Sequence, residues 1–414
     1  MTIIPVAAAR PSLLLTAIIH VLLAATIAAI PLLMIAMDGW REVYAVGILG
    51  LCTVGTVLLH DRLAPSAIAG GVGLYALLAV PVLLSILANP SEESHLVNIL
   101  VLGSYVLLGP VILHTPTDAT YRSFFPKLGV TVTVASLVAL FLAADSSFAN
   151  LLVDQREGFD FLDINLHPNY IGLLSVVIAL SVSGVRSEAR RLAGTVVALV
   201  LTWPVSSRAG ALGVVVAYAC PFLFRRSASI SAEDQRRNKV VLIAVGIGIV
   251  LVALLFHSAL ISFISDNVLL LDDDDRGLES GFSERTEIWQ AAYELWWSQP
   301  LFGVGYGQGV EKMGFGMYAH NIVLVLLSET GVVGFLGFVG FTLLSLRNGY
   351  RLRQRGELTQ ATYLLTGIVV YWAYGIFEGL AINAGNPLSA AFFTLAFGCA
   401  GQAKAGPLTA EAQA

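Results

Sequence analysis

Three polar clusters interrupt an otherwise apolar chain, and each carries a group able to do chemistry. Tyr318-Ala319-His320-Asn321 sets an imidazole between two other polar side chains. Histidine's ordinary pKa suits proton abstraction near neutrality, although a lone histidine is more often structural and spacing alone leaves both readings open. Trp203-Pro204-Val205-Ser206-Ser207-Arg208-Ala209-Gly210 puts Arg208 between two apolar runs. An arginine beside hydrocarbon is costly and marks a functional position by default; the alternative is a snorkelling arginine that anchors a helix end. Arg285 follows Ser283 and Glu284, with Glu287 shortly after, a pattern that predicts a helix beginning at Ser283. A helix N-terminus attracts anions and a guanidinium recognises phosphate bidentately; the competing reading pairs Arg285 with a neighbouring acid. Of the seven histidines, His167 and His320 fall beside polar partners at the same predicted face, His167 within His167-Pro168-Asn169-Tyr170.

Two further signals carry less. Asp272 to Asp275 could offer oxygen ligands to a divalent cation, but adjacent acids without a turn signature read better as a solvated loop, so no metal site is assigned. Gly303-Val304-Gly305-Tyr306-Gly307-Gln308-Gly309 has the glycine density of a phosphate loop. It follows no strand and falls outside the cytoplasm in the topology below, so a nucleotide fingerprint is rejected.

The elements that must position these groups are membrane helices. The 414 residues are 57% hydrophobic and 12% charged, against about 25% charged in soluble domains, and the mean hydropathy is +0.79. Apolar stretches long enough to span recur at 12–37, 43–60, 67–88, 96–114, 128–147, 169–185, 192–206, 209–224, 239–262, 318–346, 361–380 and 386–403. The first is too long for a secretory leader's apolar core and is expected to be a membrane helix. Seventeen of the 23 lysines and arginines fall on one set of loops, and only Arg41, Arg156, Arg208, Arg276, Arg285 and Lys312 on the other. The positive-inside rule puts the first set, with both termini, in the cytoplasm. Basic residues are scattered, which excludes the concentrated basic face of a nucleic-acid binder. Cys52, Cys220 and Cys399 lie far apart in apolar runs and show no disulfide framework or zinc spacing.

The expected fold is therefore all-α, one integral membrane domain over 1–414 with about twelve transmembrane helices. A large outer loop at 263–317 separates the ninth and tenth. Trp289, Ala292, Tyr293 and Trp296 at helical spacing, ended by Pro300, predict a short amphipathic helix lying on the bilayer interface within that loop.

Taken together, these segments resemble the O-antigen ligase and O-antigen polymerase (Wzy-type) superfamily of bacterial membrane glycosyltransferases. The matching stretches are Arg285-Thr286-Glu287-Ile288-Trp289, Gln299-Pro300-Leu301-Phe302-Gly303-Val304-Gly305-Tyr306-Gly307, Ala319-His320-Asn321 and Ser328-Glu329-Thr330-Gly331-Val332-Val333-Gly334, with His167-Pro168-Asn169-Tyr170 and Ser207-Arg208-Ala209-Gly210 upstream. The resemblance implies a GT-C-like fold in the inner membrane with a periplasmic site. It implies transfer of a glycan from an undecaprenyl-pyrophosphate-linked donor to lipid A–core, in a ligase, or to another lipid-linked glycan, in a polymerase, with no cofactor and no metal. On that expectation His320 is the base, Arg208 and Arg285 hold the pyrophosphate, and Tyr318, Asn321, His167 and Asn169 support them. Membrane lipid is a partner and nucleic acid is not. The ligase is the favoured role. A secondary transporter of similar helix number is the rival of another class, with Glu329 and Glu378 its best candidate residues; Glu329 falls in the helix after the histidine, and Glu378 is left open.

Overall fold

A backbone in lipid must satisfy its own polar groups, which selects helices wherever the chain is apolar. The computed structural model describes residues 18, 20–28, 40–59, 65–90, 96–113, 119–143, 159–161, 164–166, 168–185, 187–202, 207–224, 278–316, 318–380, 382–383 and 385–402. In chain order it contains α1 (Trp40–Leu59), α2 (Pro65–Ala88), α3 (Leu96–Leu113), α4 (Ala119–Ala143), β1 (Phe159–Phe161), β2 (Ile164–Leu166), α5 (Pro168–Ser183), α6 (Glu188–Thr202), α7 (Arg208–Phe224), α8 (Leu278–Ser298), α9 (Gly309–Met313), α10 (Ile322–Gln354), α11 (Leu358–Gly375) and α12 (Pro387–Gln402). Residues 20–28 of the first expected span are helical, and the ninth, 239–262, lies outside the described residues.

One element departs from the all-α expectation. β1 and β2 form an antiparallel pair with Phe159 opposite Leu166 and Phe161 opposite Ile164. Apolar residues alternate with Asp160 and Asn165 there, a period-two pattern that favours a strand.

Among the described residues two helices, Ile68–Ala88 and Ile322–Gln354, are long and apolar enough to cross a membrane, and Leu96–Leu107, Phe124–Val138, Ile171–Ser183, Ala209–Phe224 and Pro387–Ala400 are shorter apolar helices. Their outward faces are apolar too: Leu87 is 76% exposed and Leu223 71%. Helices that are apolar all round belong in lipid or in a large core.

Helix α12 packs on α2 and α3, α10 on α2, and α11 on α7 and α10. Phe338, Phe341, Tyr371, Phe392, Phe393 and Phe397 fill the space where α10, α11 and α12 meet, with Tyr371 stacked on Phe392 at 4.3 Å. At 33 residues α10 is about 50 Å long, more than a hydrocarbon core needs, and its far end carries Arg351 and Arg353.

Helix α10 is broken at Gly331, whose φ of 65° and ψ of −169° are non-helical. Several of the groups freed by the break find partners in the loop before it or in α2. Val304 N–H donates to the Ser328 carbonyl at 2.8 Å and Gly305 N–H to the Glu329 carbonyl at 3.2 Å. Ser85 at the end of α2 donates to that same Glu329 carbonyl at 2.6 Å. Val332 and Val333 N–H donate to the carbonyls of Pro300 and Leu301. The buried Glu329 carboxylate accepts from Gly307 N–H at 3.0 Å. The glycine-rich loop is thus a clasp inserted into a broken membrane helix, and the amides of Val304, Gly305 and Gly307 are spent on that helix. Only glycine fits at 331, because a Cβ there would run into the Leu301 carbonyl.

Helices α5 and α7 run parallel and nearly touch, since a Cβ on Gly210 would lie 2.7 Å from the Gly172 Cα. A Cβ on Gly213 would lie 2.6 Å from Val176 and 3.4 Å from the Tyr374 ring. The starts of α5 and α7 therefore share one end of the bundle with the end of α11. A cavity of about 680 Å³, bordered by Pro126, Ile178, Val182, Arg190 and Tyr363, lies at the other end.

Candidate functional site

His320 sits in the turn that launches α10, with φ of 45°, and it is the non-glycine residue with positive φ among the described residues. The left-handed region is strained for a side chain with a Cβ, and such strain concentrates at functional positions. Its Nδ1 lies 3.3 Å from Oε2 of Glu378 in the turn after α11. The side chains are 25% and 14% exposed respectively, so the pair is only partly buried.

Neighbouring contacts lock these two turns together. Asn321 caps α10, its Oδ1 accepting from Val323 N–H at 3.0 Å and Leu324 N–H at 3.2 Å. Its Nδ2 donates to the Ile376 carbonyl at 3.3 Å. A Cβ on Gly375 would lie 3.1 Å from Ile322, and one on Gly379 would lie 3.4 Å from the Tyr318 Cβ. Tyr318 is 42% exposed. Asn321 thus ties the turn that carries His320 to the end of α11.

Arg285 approaches from α8. Trp289, one turn later on the same face, donates its indole N–H to the Ala319 carbonyl at 2.7 Å. Ile288 and Ala292 are buried where α8 packs on α10, while Tyr293 and Trp297 are exposed. Helix α8 thus hangs on the residue next to His320 and carries a partly buried Arg285 beside it. The expected helix start at Ser283 is corrected: α8 begins at Leu278, so Arg285 is in its third turn, beyond the reach of the N-terminal dipole. Leu278, Phe282, Trp289 and Tyr293 continue the apolar period through Ser283, and that period outweighs a serine cap. Any anion at Arg285 is held by the guanidinium itself.

Arg208 is the first residue of α7. Ser207 Oγ accepts from Gly210 N–H at 3.2 Å, capping the helix. Asn169 is the second residue of α5, which starts beside α7 through the Gly172–Gly210 approach. His167, like Asp272 to Asp275, lies outside the described residues. The starts of α5, α7 and α10 and the end of α11 therefore lie towards the same end of the molecule, with α8 packed on α10, and the backbone positions of Arg208, Asn169, Arg285, Tyr318, His320 and Asn321 fall on these segments.

The clasp carries Tyr306, which donates to the Ile382 carbonyl at 3.2 Å. Burial, with the Glu329 carboxylate adding to it, pushes the Tyr306 phenol far above its ordinary range, so it remains a neutral donor. Tyr306 anchors the chain just after Glu378. Sequence reasoning missed three working parts here: Glu378 as the partner of His320, Trp289 as the hook for α8, and Glu329 as the centre of the clasp. Glu378 did signal itself as a lone acid at the end of an apolar run, but nothing local ties it to His320.

Residues 192–339 match the family model described as O-antigen ligase. The chain carries a domain of the O-antigen ligase family. That domain begins inside α6 and ends inside α10, so it takes in Arg208, Arg285, His320 and the Gly331 break. Glu378, His167 and Asn169 lie beyond it. The match supports a membrane enzyme of the ligase or polymerase glycosyltransferase type. A comparison with curated proteins gives no match.

Proposed function

We propose that this protein is an O-antigen ligase-type transferase that moves a glycan from undecaprenyl pyrophosphate to lipid A–core. It works at the periplasmic face of the bacterial inner membrane, which the chain crosses about twelve times with both termini in the cytoplasm. The observation that carries this reading is the hydrogen bond from Trp289 to Ala319, which brings the Arg285 helix to the His320 turn within the O-antigen ligase domain.

The chemistry follows from the charges. A glycosyl pyrophosphate already carries its leaving group, so the protein must stabilise departing negative charge and remove one proton. Arg285 and Arg208 hold the two phosphates by charge-assisted hydrogen bonds. His320 accepts the proton of the acceptor hydroxyl as its oxygen attacks the anomeric carbon. The bond from that carbon to the pyrophosphate oxygen breaks with its electron pair, and undecaprenyl pyrophosphate departs. A single displacement inverts the anomeric centre. The arginines supply the countercharge, so neither metal nor nucleotide enters, and transfer persists after washing with EDTA.

The test is transfer by the purified protein in proteoliposomes, with lipid-linked glycan as donor and lipid A–core as acceptor. Radiolabelled glycan appearing on lipid A–core is the expected result. Label appearing only on a second lipid-linked glycan makes the protein a polymerase. Label crossing the bilayer without a new glycosidic bond makes it a transporter.

A further inference from the structure

The proposed transfer leaves Glu378 without a task, yet this carboxylate lies within hydrogen-bond reach of the imidazole that performs it. Nδ1 of His320 and Oε2 of Glu378 are 3.3 Å apart. The two residues are 58 positions apart in sequence, and their approach depends on two turns held together by independent contacts. Asn321 Nδ2 reaches the Ile376 carbonyl, Gly375 lies against Ile322 and Gly379 against Tyr318. Tyr306 ties the segment beyond Glu378 to the clasp. The strained backbone at His320 is held by the same contacts.

An imidazole that gives Nδ1–H to a carboxylate keeps its Nε2 lone pair free, and the carboxylate steadies the positive charge that develops when Nε2 takes a proton. The arrangement also sorts the substrates by charge. A carboxylate repels a pyrophosphate, so the donor's phosphates belong away from Glu378.

We propose that Glu378 is a positioning residue for the transfer reaction: it holds His320 through Nδ1 so that Nε2 meets the acceptor hydroxyl. This rests on the transfer reaction proposed above. Glu378 touches neither substrate and acts through His320.

The experiment compares wild type, His320→Ala, Glu378→Gln, Glu378→Asp and the His320→Ala/Glu378→Gln double variant in the proteoliposome assay. Both kcat and the KM for lipid A–core are measured, with thermal melting of each protein in detergent. Glu378→Gln is expected to lower kcat by about 10–100-fold, the scale for losing a partner that orients a histidine, with KM within about twofold. Glu378→Asp restores part of the rate, and the double variant is no slower than His320→Ala. An inactive His320→Ala beside a fully active Glu378→Gln overturns this inference and leaves the transferase reading standing. A change confined to KM, or a double variant slower than His320→Ala by the full Glu378→Gln factor, also overturns it. A wild-type protein that transfers no glycan overturns both. If Glu378→Gln fails to fold, Glu378→Asp decides: it withdraws the charge by one methylene, so a lowered kcat at constant KM supports the inference and an unchanged kcat overturns it.

Discussion

On the proposed mechanism His320 and Arg285 do different work and should fail differently when changed. Removing the imidazole removes a proton acceptor, so His320→Ala should lower kcat by about 10²–10⁴-fold while the protein still folds and inserts. Rates of glycan transfer at saturating substrates check this, and wild-type turnover would remove His320 from the mechanism. Arg285→Lys keeps the charge but loses the planar fork that grips phosphate. Losing one charge-assisted hydrogen bond costs about 2 kcal/mol, roughly a thirtyfold fall in kcat/KM for the donor. An unchanged donor kcat/KM would mean that Arg285 touches no phosphate. These residues were legible in the sequence because a charge or imidazole in so apolar a chain is conspicuous. Glu378 was equally conspicuous, but its distance in sequence from His320 hid the pairing, which only the meeting of α10 and α11 creates.

At the scale of elements, the site depends on two joints. The first is the indole hydrogen bond from Trp289 to the buried Ala319 carbonyl. Trp289→Phe keeps an aromatic ring but leaves that carbonyl unpaired, a cost of about 1–3 kcal/mol. It should lower both the melting temperature and the transfer rate, and a variant that melts and turns over like wild type would show that α8 is held by other contacts. The second joint is the clasp. Gly331→Ala puts a Cβ against the Leu301 carbonyl at a positive φ, so it should destabilise the protein by more than about 2 kcal/mol, read as a fall in melting temperature in detergent. An unchanged melting temperature would contradict the clasp. The sequence showed the glycine-rich loop and the Ser328–Gly334 stretch as neighbouring motifs, but their insertion one into the other was not visible, because a broken helix looks continuous in an apolar pattern. The start of α8 was misplaced for a related reason: one serine cap was weighed above an apolar period running through it. The β1–β2 hairpin was missed because its strands are only three residues each.

At the scale of the whole molecule, the lengths of the apolar runs predicted the helices well. Expected spans at 67–88, 96–114, 169–185 and 386–403 match α2, α3, α5 and α12 to within two residues at each end, since bilayer thickness and apolar length are coupled. Helix α4 starts nine residues earlier than expected, because Ala119 to Lys127 are too polar to score as a span and still continue the helix. Sidedness rests on the distribution of lysine and arginine. Single cysteines placed at Glu294 and Arg355 in a background free of Cys52, Cys220 and Cys399 should react with a membrane-impermeant thiol reagent from opposite sides, Glu294 from outside in intact spheroplasts and Arg355 only after lysis. Labelling of both from the same side would contradict the topology.

The central claim is transfer of a finished glycan to lipid A–core, and the most direct measurement is made in the source bacterium with the gene deleted. Lipopolysaccharide banding and the glycans on the lipid carrier are read together, with the wild-type gene or the His320→Ala variant returned. The account predicts bare lipid A–core and long glycan stranded on undecaprenyl pyrophosphate in the deletion, reversed by the wild-type gene and not by His320→Ala. An unchanged banding pattern, or single repeat units on the carrier in place of long glycan, would contradict it.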